Sequence, residues 1–153
     1  MDEPLYFDDL KIGDRWQSPS RTMNDAYFAF FAGLSGDNNP LHYDDEYAKK
    51  TPFGARLAHG LLTMGMTAVG ASPLSHRLHE SMIAFLEQGC RFLRPVLVGD
   101  TIYPEHEVVE LQRKGERGIV KLAARIKNQR GEIVLDGFHV YLLRCRQRSG
   151  GST

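Results

Sequence analysis

An acid, Asp37, and an imidazole, His42, stand five residues apart in the run Gly36-Asp-Asn-Asn-Pro-Leu-His-Tyr-Asp44. A carboxylate and an imidazole that meet on one substrate can take a proton from water and return it to carbon. On an ideal helix this spacing would put the two side chains about 140° apart around the axis, so they converge only if the chain bends between them. Gly36, Asn38, Asn39 and Pro40 supply the bend, because Gly and Asn accept unusual φ and Pro disfavours helix in the residue before it. By residue type alone, Asp37 could equally cap a turn, and His42 could be a hydrogen-bonded core histidine.

The flanking elements must hold this loop. Thr22-Met-Asn-Asp25 has the form of a capping box with Asp in place of Glu. It precedes Tyr27, Phe28, Phe30, Phe31 and Leu34, an aromatic helical face expected to be core, and that helix should end near Gly36. Asp44 to Lys50 reads as a short helix with acids at its N-terminal end and lysines at its C-terminal end, as the helix dipole favours, with Asp44 and Asp45 as N-cap candidates. Thr51-Pro-Phe-Gly54 ends it. His59-Gly60 then opens a helix of about 14 residues, apolar on all sides and therefore enclosed by protein. No Gly-Lys-Ser/Thr follows, so the pattern excludes a phosphate-cradling P-loop.

From Ser81 onward the chain reads as strands: Met82 to Pro95, Thr101 to Lys114, Gly118 to Gln129 and Glu132 to Arg146. The third alternates Val120, Leu122, Ala124 and Ile126 against Lys121, Arg125 and Lys127, so one of its faces is wet. The fourth is apolar on both faces. A long buried helix followed by an antiparallel meander implies an α+β fold, a curled antiparallel sheet wrapped around a central helix. Its open edges call for cover, which an edge-to-edge homodimer would supply. One domain is expected over residues 1–146, with a disordered tail at 147–153.

Composition narrows the class. Nineteen Lys and Arg balance nineteen Asp and Glu, so no global field draws the chain to nucleic acid or an anionic membrane. The basic run at 144–148 reads as a solvated strand end. No signal peptide is visible at the N-terminus, and the uncharged stretch from Leu57 to Ser75 suits a buried helix better than a membrane span. Cys90 and Cys145 form neither a CxxC pair nor a disulfide framework and read as reduced core residues of a cytoplasmic protein. His76 and His79 have metal-ligand spacing without fitting companions, so no metal is expected. Arg56, Arg91 and Arg94 read as solvated charges by default, the alternative being that one of them contacts phosphates of a bound substrate.

Leu34-Ser-Gly-Asp-Asn-Asn-Pro-Leu-His-Tyr-Asp44, followed by Ala48, closely resembles the signature of the MaoC-like (R)-specific enoyl-CoA hydratases, a hot-dog-fold family. His59-Gly60 and Arg91-Phe-Leu-Arg-Pro-Val-Leu-Val-Gly-Asp100 fit as well, so the resemblance spans roughly residues 7–146. It implies reversible hydration of a trans-2-enoyl thioester to the (R)-3-hydroxyacyl thioester, on an acyl-CoA substrate and with no metal or redox cofactor. Asp37 and His42 match the family's catalytic pair and Asn39 a water-orienting Asn. Gly60 matches the residue whose backbone N–H binds the thioester carbonyl, with His59 beside it as a further oxyanion or substrate-binding candidate that shapes the turn into Gly60. One position departs: many relatives carry a Ser eight residues after that Gly, where this chain has Ala68, so support of Asp37 from the helix is in question. Two other readings stay open. One is a hot-dog thioesterase, against which speaks the lack of any acid between Gly60 and Ser75. The other is a non-catalytic acyl-thioester binding subunit.

Overall fold

The computed structural model describes residues 3–147. Short Gly-containing turns decide most of its strand pairing. Strand β4 (Thr101–Lys114) turns at Gly115-Glu116 into β5 (Arg117–Asn128), and β5 turns through residues 129–132 into β6 (Ile133–Arg144), so each pairs antiparallel with the next. Strand β3 (Met82–Phe92) does not pair with β4, its sequence neighbour. It pairs antiparallel with β6, at the far side of the sheet. The expected simple meander is corrected here: the connection from Leu93 to Asp100 is too long for a tight hairpin and carries Pro95, which removes a ladder donor. Two short strands, β1 (Arg15–Gln17) and β2 (Arg21–Thr22), pair with β4 on its other side. The order is β1-β4-β5-β6-β3, with β2 also on β4.

Register shifts at Val108/Glu110, Phe85/Glu87 and Ile126/Lys127 bend the strands, as bulges do. The sheet buries one face against the helices in two clusters. In one, Leu74 and Leu78 meet Val108, Val120, Leu122, Tyr141 and Leu143, closed from the N-terminal side by Leu5, Phe7 and Leu10. In the other, Met23, Phe28, Ala58 and Leu62 meet Ile102, Ile126, Val134 and Leu135. The alternation read along β5 holds, since Val120, Leu122, Ala124 and Ile126 are all buried.

Helix α1 (Asp25–Ser35) is capped by Asn24, whose side chain accepts from the N–H groups of Ala26 and Tyr27. Asn24, not Thr22, therefore starts it, because Asn is as good an N-cap and stands directly before the first helical residue. It ends on Gly36 at φ 77°, a left-handed conformation that Gly adopts without steric cost. Its aromatic face is only partly core: Phe28 is buried, while Phe30 and Leu34 are 78% and 85% exposed. Helix α2 (Asp45–Ala48) has Asp44 as N-cap, accepting from Tyr47 N–H.

The expected long central helix is broken. Helix α3 covers only Gly60–Gly65, a 3₁₀ turn follows at Val69–Ala71, and α4 covers Pro73–Leu78. Gly65 and Gly70 weaken the helix and Pro73 can only begin one. Side-chain donors reach the carbonyls around the break. Thr67 Oγ1 donates to Met64 O at 2.7 Å, and His106 Nε2 donates to Thr67 O at 2.8 Å. His139 Nε2 lies 3.0 Å from Thr67 Oγ1, while its Nδ1 lies 2.9 Å from the Tyr141 hydroxyl. Burial, then the neighbouring His106, pushes His139 down to about 4, and burial pushes Tyr141 up to about 12. The polar cluster is thus neutral at physiological pH.

Candidate active site

The loop between α1 and α2 turns back on itself after Gly36. Asp37 Oδ1 accepts from Asn39 N–H, and Asn39 Oδ1 accepts from Leu41 N–H, so each side chain closes a local turn. Pro40–His42 then forms a single 3₁₀ turn. This arrangement leaves the Asp37 side chain exposed and turns His42 inward, 9% exposed.

The tautomer of His42 follows from its partner. Nδ1 lies 2.6 Å from Leu57 O, and a carbonyl can only accept, so Nδ1 carries the proton. In the neutral ring the lone pair is then on Nε2. Leu57 is itself fixed, donating its N–H to Leu41 O.

His59 lies against His42 with ring centroids 3.8 Å apart and planes inclined by 26°. Its Nε2 is 2.7 Å from the Tyr43 hydroxyl and 3.2 Å from Asp37 O. The same hydroxyl is 3.0 Å from both Phe28 O and Asp37 O. Tyr43 has one proton to give, and only carbonyls compete for it besides His59. The assignment that serves these contacts puts the proton of His59 on Nε2, donating to Tyr43. His59 Nδ1 is then a buried acceptor with no protein partner among the described residues. Burial, then the adjacent His42, lowers the His59 pKa, and burial, then the Asp37 charge, raises that of Tyr43. Both are held neutral.

Asp37, His42 and His59 bring ligand atoms within 4.8 Å of one another. A cation bound by both imidazoles must lie near both ring planes. The two rings lie 3.8 Å apart between centroids with planes inclined by 26°, and each already has one ring nitrogen within hydrogen-bond distance of a protein oxygen.

Gly60 is the first residue of α3, where a backbone N–H has no intrahelical acceptor. His59, the N-cap, makes no side-chain cap bond. With six residues, α3 adds little macrodipole, so the group on offer is the N–H itself. A Cβ built on Gly60 would come to 3.3 Å from Phe92 Cζ. Gly60 and Phe92 together line a cleft of about 280 Å³ with Phe53, Leu57, Thr63 and Val96.

The structure thus gathers Asp37, His42 and His59 around one point and sets Gly60 directly after His59 in the chain. Asn39 is engaged through its carbonyl oxygen as a turn cap. Tyr43 was within reach of sequence reasoning, since it belongs to the same run, but a Tyr beside a His carries no signal of its own. Its role appears only when the loop folds back onto Phe28 and His59. Ala68 is not on a helix: its backbone is extended (φ −53°, ψ 120°), and it lines a separate cleft with Phe85, His139 and Tyr141.

Comparison with known proteins fits this architecture. The family model of the MaoC like domain matches residues 10–129. The chain is 33% identical over 133 residues to a 3-hydroxybutyryl-CoA dehydratase of Methylorubrum extorquens, covering 87% of this chain and 80% of that one. It is 34% identical over 128 residues to an (R)-specific enoyl-CoA hydratase of Aeromonas caviae, covering 84% and 91%. A Mycobacterium tuberculosis protein with a double hot-dog fold superposes with TM-score 0.79 at 26% identity, over 97% of this chain and 47% of that one. The fold is the α+β hot-dog. The chain belongs to the MaoC-like family and is an enzyme of its hydratase/dehydratase class.

Proposed function

We propose that the protein interconverts trans-2-enoyl-CoA and (R)-3-hydroxyacyl-CoA, with Asp37 and His42 sharing the proton work and Gly60 N–H holding the thioester oxygen. The observation that carries this reading is the His42 Nδ1 bond to Leu57 O, which leaves Nε2 as a base beside Asp37. Water bound between the two gives up a proton to the pair as its oxygen attacks C3. The double-bond electrons move to the thioester oxygen, where the Gly60 N–H meets the developing charge. The enolate collapses, C2 takes the proton back from the pair, and the starting protonation state is restored. A backbone donor in such a place is typically worth about 3 kcal/mol in the transition state. Because acid and base lie on one side of the substrate, addition is syn.

Asn39 Nδ2, whose carbonyl partner is already spent on Leu41, is left to orient the water. No cofactor is needed for this chemistry; coenzyme A enters as the substrate's carrier. Among the described residues no helix is long and apolar enough to cross a membrane. Both cysteines are free, which suits the cytoplasm. Strand β3 ends the sheet with Phe85, Leu86 and Phe92 about half exposed, and we propose that two copies join along that edge. A thioesterase reading gains nothing from the geometry, since Gly60 to Leu78 carries no carboxylate.

The deciding experiment incubates purified protein with crotonyl-CoA and follows loss of enoyl absorbance, thiol release and product chirality. Hydration to the (R) product without thiol release is expected; thiol release instead would assign a thioesterase, and neither a binding subunit.

A further inference from the structure

Arg56 links the starts of α1 and α2 to the segment that leads into Gly60. Its side chain is only 13% exposed, although those of the two acids it reaches, Asp25 and Asp45, are 77% and 65% exposed. Nη1 donates to Asp25 Oδ1, and Nε donates to Asp45 Oδ1 at 2.7 Å. Asp25 and Asp45 are the first residues of α1 and α2, the helices on either side of the loop that carries Asp37 and His42. The reading of Arg56 as a solvated charge is therefore corrected: a cation at two helix N-termini opposes both dipoles and is stable there because each terminus brings its own carboxylate.

The backbone of Arg56 is fixed as well. Val98 N–H donates to Arg56 O at 2.9 Å and Ala58 N–H to Val96 O at 2.7 Å, so residues 56–58 run as a short ladder beside 96–98. One residue on, Leu57 holds His42 through its carbonyl and Leu41 through its N–H. Four residues on is Gly60. The segment from Arg56 to Gly60 is thus a ruler with the base at one end and the oxyanion donor at the other, and Arg56 pins it to α1 and α2.

We propose that Arg56 is a positioning residue that sets the register between the His42 imidazole and the Gly60 N–H, through its paired contacts to Asp25 and Asp45. This rests on the hydratase reading for its kinetic consequence, though not for its structural one. A misplacement on the order of 1 Å at a reacting group can cost about a hundredfold in rate, so a loose clamp should appear in kcat.

The test uses full-length Arg56→Met, Arg56→Lys and the double variant Asp25→Asn/Asp45→Asn. Each is measured for kcat and KM on crotonyl-CoA, for thermal stability, and for His42 tautomer by ¹⁵N-resolved NMR of the ring nitrogens. Arg56→Met and the double acid variant should each lower kcat about tenfold or more with KM little changed. The His42 signal should change from a single Nδ1–H form to a mixture of tautomers. Arg56→Lys keeps one contact and should recover part of both readouts. A raised KM at unchanged kcat would overturn the proposal and make Arg56 a contact for the carrier's phosphates. A His42 signal unchanged in folded Arg56→Met would overturn it on structural grounds, even if the wild type hydrated no enoyl-CoA at all; a variant too unstable to read leaves the decision to the double acid variant, which retains Arg56.

Discussion

His42 and His59 stack face to face, 3.8 Å between centroids, and the two rings have opposite hydrogen-bond polarity. His42 gives its Nδ1 proton to Leu57 O and presents a lone pair at Nε2, whereas His59 gives its Nε2 proton towards Tyr43 and buries an unpartnered Nδ1. One ring presents a free acceptor nitrogen and the other is held neutral against it. Burial, then the adjacent His42, lowers the His59 pKa and holds that ring neutral.

Replacing Asp37 with Asn, or His42 with Gln, keeps size and local hydrogen bonding while removing the proton acceptor. Each should lower kcat on crotonyl-CoA by about 10²–10⁴-fold, with little change in melting temperature for Asp37→Asn, whose side chain is exposed. Steady-state kinetics beside a thermal melt checks this; a folded Asp37→Asn protein with wild-type turnover would rule the mechanism out.

Tyr43→Phe removes one oxygen that serves Phe28 O, Asp37 O and His59 Nε2 together. Leaving the partly buried Phe28 O and His59 Nε2 without this partner should cost about 1 kcal/mol, to be read from urea unfolding. Turnover should fall as well, because the backbone of Asp37, proposed to share the proton transfer, loses its anchor. If stability falls while kcat stays at the wild-type value, Tyr43 matters to the fold alone.

Ala68→Ser tests whether the departure from the family pattern weakens the enzyme. Ala68 lies past the end of α3 in extended backbone and faces Phe85, His139 and Tyr141, so a hydroxyl there should leave turnover within about twofold, as for substitutions that touch no reacting group. A tenfold gain would mean that residue 68 does reach the acid.

Stability should fall in mild acid. His59, His106 and His139 all have pKa values lowered by burial, His139 to about 4. Unfolded, each would titrate near 6.5, so between that value and the native pKa the unfolded chain binds more protons and stability rises with pH. The contribution is complete above about pH 6.5 and is lost progressively towards pH 4. For His139 alone it is about 2 kcal/mol after discounting for solvent screening. Melting temperatures across this range check the sign, and His139→Gln should flatten the slope.

The local shape of this candidate site was readable in the chain before folding, because Asp37, Asn39 and His42 sit in one short run whose Gly, Asn and Pro residues encode their own turns. The ends of α1 and α2 were legible for the same reason: Gly36 and Asp44 act locally. What the sequence hid depends on distant partners. The break after α3 is held by His106 and His139, about forty and seventy residues along, and the pairing of β3 with β6 instead of β4 is a property of the whole sheet. Tyr43 and Arg56 were hidden likewise, since each earns its place by touching segments that meet only in three dimensions.

The amide of Gly60 draws one more consequence from its position at the start of a six-residue helix. Helices this short are marginal in isolation, and a first-turn N–H is not shielded by a carbonyl of its own helix. In the free protein this hydrogen should trade with solvent far faster than those in the β4–β5–β6 ladders, and a bound thioester would slow it. The atom proposed to steady the reaction's negative charge would then keep its own clock, running with water until substrate arrives.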